Sequence, residues 1–135
     1  MVCNKEGSEI AAIHAGWRGL ADGIIENTIT HLVSEAKDLL VWLGPAASGA
    51  VYEVGSEVRD LFLQRDSKAE TGFIQTREGH YLMDIYDLAR QRLENMGINA
   101  IYGGDYCTIK QEDLFYSYRR DGVTGRMASL IWKER

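Results

Sequence analysis

The chain has 135 residues, of which 45% are hydrophobic and 26% charged, and its formal net charge is −5. That length suits one domain with a real apolar core. An acidic balance excludes a general nucleic-acid or anionic-membrane surface, because both partners require a basic face.

The first residues, Met1 to Gly7, read as the end of an apolar strand and a hairpin turn. A strand that begins at the first residue leaves two expectations open: a domain incomplete at its amino end, or an ordinary start in front of a short edge strand. Glu9 to Ile13 is apolar and β-like, ends at His14, and is followed by a turn punctuated by Gly16 and Gly19. Ala21, Ile24, Ile25, Thr28 and Leu32 recur at helical spacing, which predicts an amphipathic helix beginning near Leu20. Leu39 to Leu43 is a continuous apolar run closed by Gly44 and Pro45, as expected of a buried strand. A small-residue loop leads to Tyr52–Gly55, and Ser56 is placed to cap a helix carrying Val58, Leu61 and Phe62. Residues 64–79 are polar and broken by glycine, the pattern of a mobile surface loop. Asp84 is placed to cap the clearest helix, whose face is Ile85, Leu88, Ala89, Leu93 and Met96, with Gly97 as its stop. Ile98 to Tyr102 reads as a strand. Phe115–Tyr118 and Met127–Trp132 read as two more, joined across Arg120-Asp121-Gly122. No repeat or linker divides the chain, so residues 1–135 are expected to form one domain or part of one. Mixed strands and helices without strict βαβ alternation point to the α+β class.

No apolar run approaches bilayer length, and Lys5 and Glu6 interrupt any signal-peptide pattern at the start. The two cysteines, Cys3 and Cys107, are too few for a disulfide framework, so a reducing cytoplasm is the expected compartment. His14 ends a strand before a glycine-rich turn, where it serves either as a hydrogen-bonded structural residue or as a site residue. His31, His80, Cys3 and Cys107 show no metal-ligand spacing relative to it. Arg18 sits at the amino end of the predicted helix, where the dipole disfavours a cation, so it needs a carboxylate or an anion as partner. Arg119, Arg120 and Arg126 lie among Tyr116, Tyr118 and Asp121, a composition that fits forked recognition of phosphate or a solvated hairpin with an Arg–Asp pair. Cys107 follows a Gly-Gly-Asp-Tyr turn and reads as a buried thiol rather than a nucleophile. Glu53 and Asp105 are acid–base candidates by loop position alone.

The segment His14-Ala-Gly-Trp-Arg-Gly19 resembles the signature of the YfiH family, also known as laccase-domain or polyphenol oxidase proteins. The resemblance continues through Trp42-Leu-Gly-Pro45, Tyr52-Glu-Val-Gly55, Asp84 to Leu93, Gly103-Gly-Asp105 and Cys107-Thr108. It ends with Phe115 to Gly122 and Thr124 to Trp132, the blocks most similar to the enterobacterial members. It covers nearly the whole chain and implies the carboxy-terminal part of one such domain. The implied fold is α+β, a mixed sheet flanked by helices, of the kind shared with cytotoxic necrotizing factor.

The resemblance further implies a zinc-dependent purine nucleoside phosphorylase acting on adenosine, inosine or methylthioadenosine with phosphate, with adenosine deaminase activity in some members. Of the family's zinc ligands, two histidines and one cysteine, only His14 has a counterpart here. The ligand cysteine of an Asp-Cys-Leu-Pro segment and the other histidine belong upstream of the position aligned with Met1, and Cys3 is not that cysteine. Zinc at His14 would serve as a Lewis acid or activate water. Arg18, Arg119, Arg120 and Arg126 are the candidate anion contacts. The expected partners are a purine nucleoside and phosphate, with neither nucleic acid nor membrane. The oxidase label implies copper, yet three histidines without a His-x-His pair do not suit several coppers. A cysteine hydrolase, which the toxin-like fold brings to mind, would need the same upstream cysteine, and a non-catalytic partner-binding piece is the reading from outside enzymology.

Overall fold

A computed structural model describes residues 1–134. The chain forms two compact units. The first takes Met1–Gly44, Ala89–Gly103 and the residues from Leu130 on, and the second takes Pro45–Leu88 and Gly104–Ser129.

The first unit is built on a four-stranded sheet in the order β2-β1-β3-β7. Its strands are β1 (Val2–Asn4), β2 (Ile10–Ala11), β3 (Leu39–Leu43) and β7 (Ala100–Gly103). β1 pairs antiparallel with both β2 and β3, while β3 and β7 are parallel, so the sheet is mixed as expected. β1 lies inside this sheet rather than at an edge. Val2, Leu39 and Val41 point to one face and are buried, in a unit whose helices bury Leu20, Ile25, Ile29 and Leu93. The turn between β1 and β2 is fixed from outside the hairpin. The Glu9 carboxylate accepts hydrogen bonds from the Val33 and Ser34 amides and from the Ser34 hydroxyl, which hold it below the usual carboxylate range.

The single helix predicted from Leu20 is two short ones, α1 (Trp17–Asp22) and α2 (Ile24–Thr30). Gly23 separates them at φ 89°, a left-handed conformation that stops α1 and starts α2. The apolar spacing continues across the break, which is why periodicity alone did not reveal it.

The second unit carries an antiparallel sheet in the order β4-β6-β5 and the helix α3 (Ser56–Arg65). Its strands are β4 (Glu53–Gly55), β5 (Phe73–Arg77) and β6 (His80–Met83). Residues 64–79, expected to be a mobile loop, instead form the end of α3, a short 3-10 segment (Ser67–Gly72) and β5. The polarity misled because β5 is an edge strand. Only Phe73 points inward, packing against Phe62 and Tyr81 at centroid distances of 5.8 and 6.5 Å, while Gln75 and Arg77 face solvent. Glu78-Gly79, with Gly79 at φ 72°, closes the hairpin as a two-residue turn.

Ser56 is the first helical residue of α3 rather than its cap. Gly55 holds the cap position, and the Ser56 amide donates to the Gly79 carbonyl at 2.9 Å. Helix α4 (Ile85–Asn95) starts as expected, with Asp84 Oδ1 accepting from the Tyr86 and Asp87 amides at 3.1 and 3.0 Å. The tail departs from expectation. Residues 115–118 are not a strand; Ser117 instead caps a single helical turn, α5 (Tyr118–Asp121), by accepting from the Arg120 amide. Met127 to Trp132 has no regular structure and no strand partner among the described residues, and alternation without a partner forms no ladder.

Candidate active-site elements

His14 lies in the loop between β2 and α1, and its side chain is exposed. The imidazole lies near Gly16, where an added Cβ would stand 3.4 Å from Nε2. Gly16 is the N-cap of α1 with no side-chain cap, and its carbonyl accepts from the Leu20 amide at 2.9 Å. Arg18 is on the first turn of α1, exposed, with its guanidinium 4.3 Å from the Trp17 ring centre. It makes no ion pair with any described residue. The turn thus presents one imidazole and one guanidinium, four positions apart, neither consumed by the fold.

A zinc site built from these residues alone does not fit. Among the described residues no three of His, Cys, Asp and Glu stand close enough to hold a metal ion. His14 is a single nitrogen donor without companions here.

The tail arginines, grouped by sequence, have three different environments. Arg119 donates from Nη1 to the Glu53 carbonyl at 3.1 Å and lies 5.0 Å from the centre of the Tyr52 ring. It borders a cleft of about 370 Å³ with Glu53, Arg77 and His80. The Glu53 carboxylate is already held there by Thr76 and Arg77 at 2.8 and 3.1 Å, which keeps it below the usual carboxylate range and engages it in the fold.

Arg120 is a staple. Nε and Nη2 grip Asp121 at 2.8 Å each, Nη1 reaches the Thr108 and Ile109 carbonyls at 3.0 and 3.1 Å, and Nη2 reaches the Phe115 carbonyl at 3.0 Å. A guanidinium has five N–H donors, and these five contacts use that capacity, leaving Arg120 poorly suited to bind an anion. Arg126 is exposed and turns back onto the carbonyls of Thr124 and Gly125, both at 3.1 Å.

One cluster carried little signal in the sequence. Cys107 is buried and bridges to Ala46, and the Ser48 amide donates to its sulfur at 3.4 Å. Burial pushes the thiol up, but hydrogen bonds from Ser48 and from the Lys110 and Ile109 amides outweigh it and leave the pKa at about 7. The Tyr86 hydroxyl joins the same two loops, accepting from the Ala46 amide at 2.7 Å and donating to the Tyr106 carbonyl at 2.8 Å. The small residues from Ala46 to Ala50 were the available hint, since only small side chains let amides approach a sulfur so closely. Asp105, the other loop carboxylate, is exposed.

No described helix is long and apolar enough to cross a membrane. The family model of the multi-copper polyphenol oxidoreductase laccase proteins matches residues 1–134. The proteins named purine nucleoside phosphorylase YfiH from Shigella flexneri and from Escherichia coli strain K12 are each 52% identical over 132 residues. Those residues are 98% of this chain and 54% of each relative, so the chain spans about half the length of the curated relatives it matches. The crystal structure of a Neisseria meningitidis protein superposes with a TM-score of 0.97 at 46% identity, covering 99% of this chain and 55% of the other. With the laccase-family match running from end to end and the same fold in a solved relative, the chain belongs to the multi-copper polyphenol oxidoreductase laccase family that includes the YfiH proteins.

Proposed function

We propose that this chain carries the His14–Arg18 turn of a purine nucleoside phosphorylase, as a portion of the kind of domain found in its longer relatives. Two relatives at 52% identity bear that name, and the observation that carries the reading is the uncommitted pair on the turn. In phosphorolysis a phosphate oxygen bonds to the anomeric carbon, the glycosidic C–N bond breaks, and the purine nitrogen leaves with the bonding pair and takes up a proton. Such a reaction needs a cation to hold the phosphate and donors for the departing charge. Arg18 has its guanidinium free of ion pairs and is the first choice for the phosphate. Arg119, which keeps part of its donor capacity beside Tyr52, is the second.

His14 is assigned as one ligand of a zinc whose other ligands lie outside the described residues. Adenosine, inosine and methylthioadenosine are the proposed substrates, with deamination of adenosine as a side activity and the cytoplasm as the compartment. Phosphate-dependent release of adenine or hypoxanthine, measured together with bound metal, tests the reading. It must be run on the chain alone and on the chain joined to the remainder of a YfiH domain. A joined form that binds zinc and releases no base with phosphate overturns it. Oxidation of a phenol by a copper-loaded form would instead favour the family's oxidase description.

A further inference from the structure

The cleft of about 370 Å³ bordered by Arg119 lies wholly within the second unit, and its volume falls in the range of small-molecule sites. Its charged groups divide into those the fold has used and those it has not. Glu53 and Arg77 pair with each other at 3.1 Å and together present no net charge. Arg119 forms no ion pair with a described residue, yet it is held in place by the Glu53 carbonyl and the Tyr52 ring. The carboxylate of Glu57, in the first turn of α3, has no hydrogen bond or ion pair among the described residues. Gly55 makes room for it, because a Cβ there would run into the Glu57 carboxylate. The backbone at Gly55, φ −81° and ψ 167°, is open to any residue, so it is this close approach that a side chain would disturb. One unpaired cation and one unpaired anion therefore line one cleft without bridging, together with the buried Val54 and Val58.

A plain anion in this cleft would be opposed by Glu57, and a plain cation by Arg119. A ligand carrying both signs satisfies both. We propose that the cleft binds an α-amino acid as its intact zwitterion, with the carboxylate on Arg119, the ammonium on Glu57 and a short apolar side chain against the valines. A guanidinium matches a carboxylate with two parallel hydrogen bonds, and only Nη1 of Arg119 is engaged by the fold. Because Tyr52 and the Glu53 carbonyl already fix that guanidinium, little of its freedom is lost on binding. Binding alone is assigned, with no bond made or broken, so the inference stands independently of which reaction the domain catalyses. It does set an amino-acid carboxylate against phosphate as the anion that Arg119 holds, and the two make opposite demands on Glu57.

The test is calorimetric titration of the chain with each standard L-amino acid and with inorganic phosphate, alongside amide NMR shifts at Gly55 and Glu57. The expected result is a single site for a small apolar amino acid such as L-valine. Blocking either end of the bound amino acid, as in N-acetyl-L-valine or L-valinamide, lowers the affinity at least about tenfold, the effect of some 1.4 kcal/mol. Arg119→Gln and Glu57→Gln each do the same. Gly55→Ala weakens binding as well, by displacing the Glu57 carboxylate. Lys37→Gln leaves it unchanged, because Lys37 is exposed in the first unit and pairs there with Glu35. Circular dichroism verifies the fold of each variant, and the end-blocked ligands give the same answer without any substitution. Four results overturn the proposal: no amino acid binds, the end-blocked forms bind as well as the free one, binding survives the loss of Arg119 and Glu57, or phosphate binds in its place and binds more tightly to Glu57→Gln. Base release is not among the readouts, so loss of the phosphorylase reading and loss of this one are separable.

Discussion

Arg18 and Arg120 resemble one another in sequence, each within two positions of an aromatic residue and a glycine. Their surroundings make them opposites. Arg120 sits where the irregular segment before α5 brings the Thr108, Ile109 and Phe115 carbonyls to it, with the Asp121 carboxylate beside it, and its donors go to the fold. Arg18 rises from a six-residue helix with only the Trp17 ring against it. An arginine is available for function when nearby carbonyls are already paired with backbone amides. It becomes structural when irregular chain leaves them open.

The sharpest way to break this contrast is to remove each guanidinium. Arg120→Ala should cost the most, lowering the thermal midpoint by several degrees, because it unpairs three carbonyls and a carboxylate together. Arg120→Lys should restore little, since an ammonium cannot reproduce the fork. Thermal and urea unfolding check both, and an unchanged midpoint would sink the staple reading.

Capping offers a calibrated comparison. Asp84→Ala should destabilise by about 1 kcal/mol, and Asp84→Asn by much less, because Asp84 accepts from two amides at the start of α4. Gly16, at the start of α1, has no side-chain cap to lose.

The Cys107 pKa in the folded chain, about 7, is depressed below the ordinary thiol value of 9.0. Its contribution to stability is therefore full above pH 9, shrinks as pH falls, and is gone below about 7. Urea titrations at pH 7 and pH 9 should show a stability gain toward alkaline pH that Cys107→Ser lacks. An equal gain in the variant would remove the thiolate from the account.

The smallest stability effects belong to the exposed turn. His14→Ala and Arg18→Ala should each change stability by less than about 0.5 kcal/mol. In a joined, active form, Arg18→Ala should raise KM for phosphate about tenfold, equivalent to about 1.4 kcal/mol. His14→Ala should instead abolish retained metal. A large stability loss in either variant would place that residue with Arg120 among the structural groups.

Much of the architecture was legible in the residues. The continuous run Leu39–Leu43 closed by Gly44-Pro45 is the pattern of a strand and forms one, Asp84 and Gly97 bracket α4, and the mixture of elements set the α+β class. The family was legible too, from the ordered blocks beginning at His14. Less of the site could be read. Periodicity has no means of seeing the left-handed Gly23, an edge strand with one inward residue imitates a loop, and Met127–Trp132 has strand chemistry without a partner.

The elements and the kind of domain are therefore written in the residues, because local spacing and side-chain chemistry are properties of neighbours along the chain. Which charged and reactive groups remain free is settled by the folded chain. That depends on carbonyls, amides and ring faces brought together from distant positions: Thr108 and Phe115 around Arg120, Ser48 against Cys107, Thr76 and Arg77 around Glu53. The same cause sets Trp42 beside Tyr102, sixty residues on, and gives one sheet face its buried core and the other its open apolar surface.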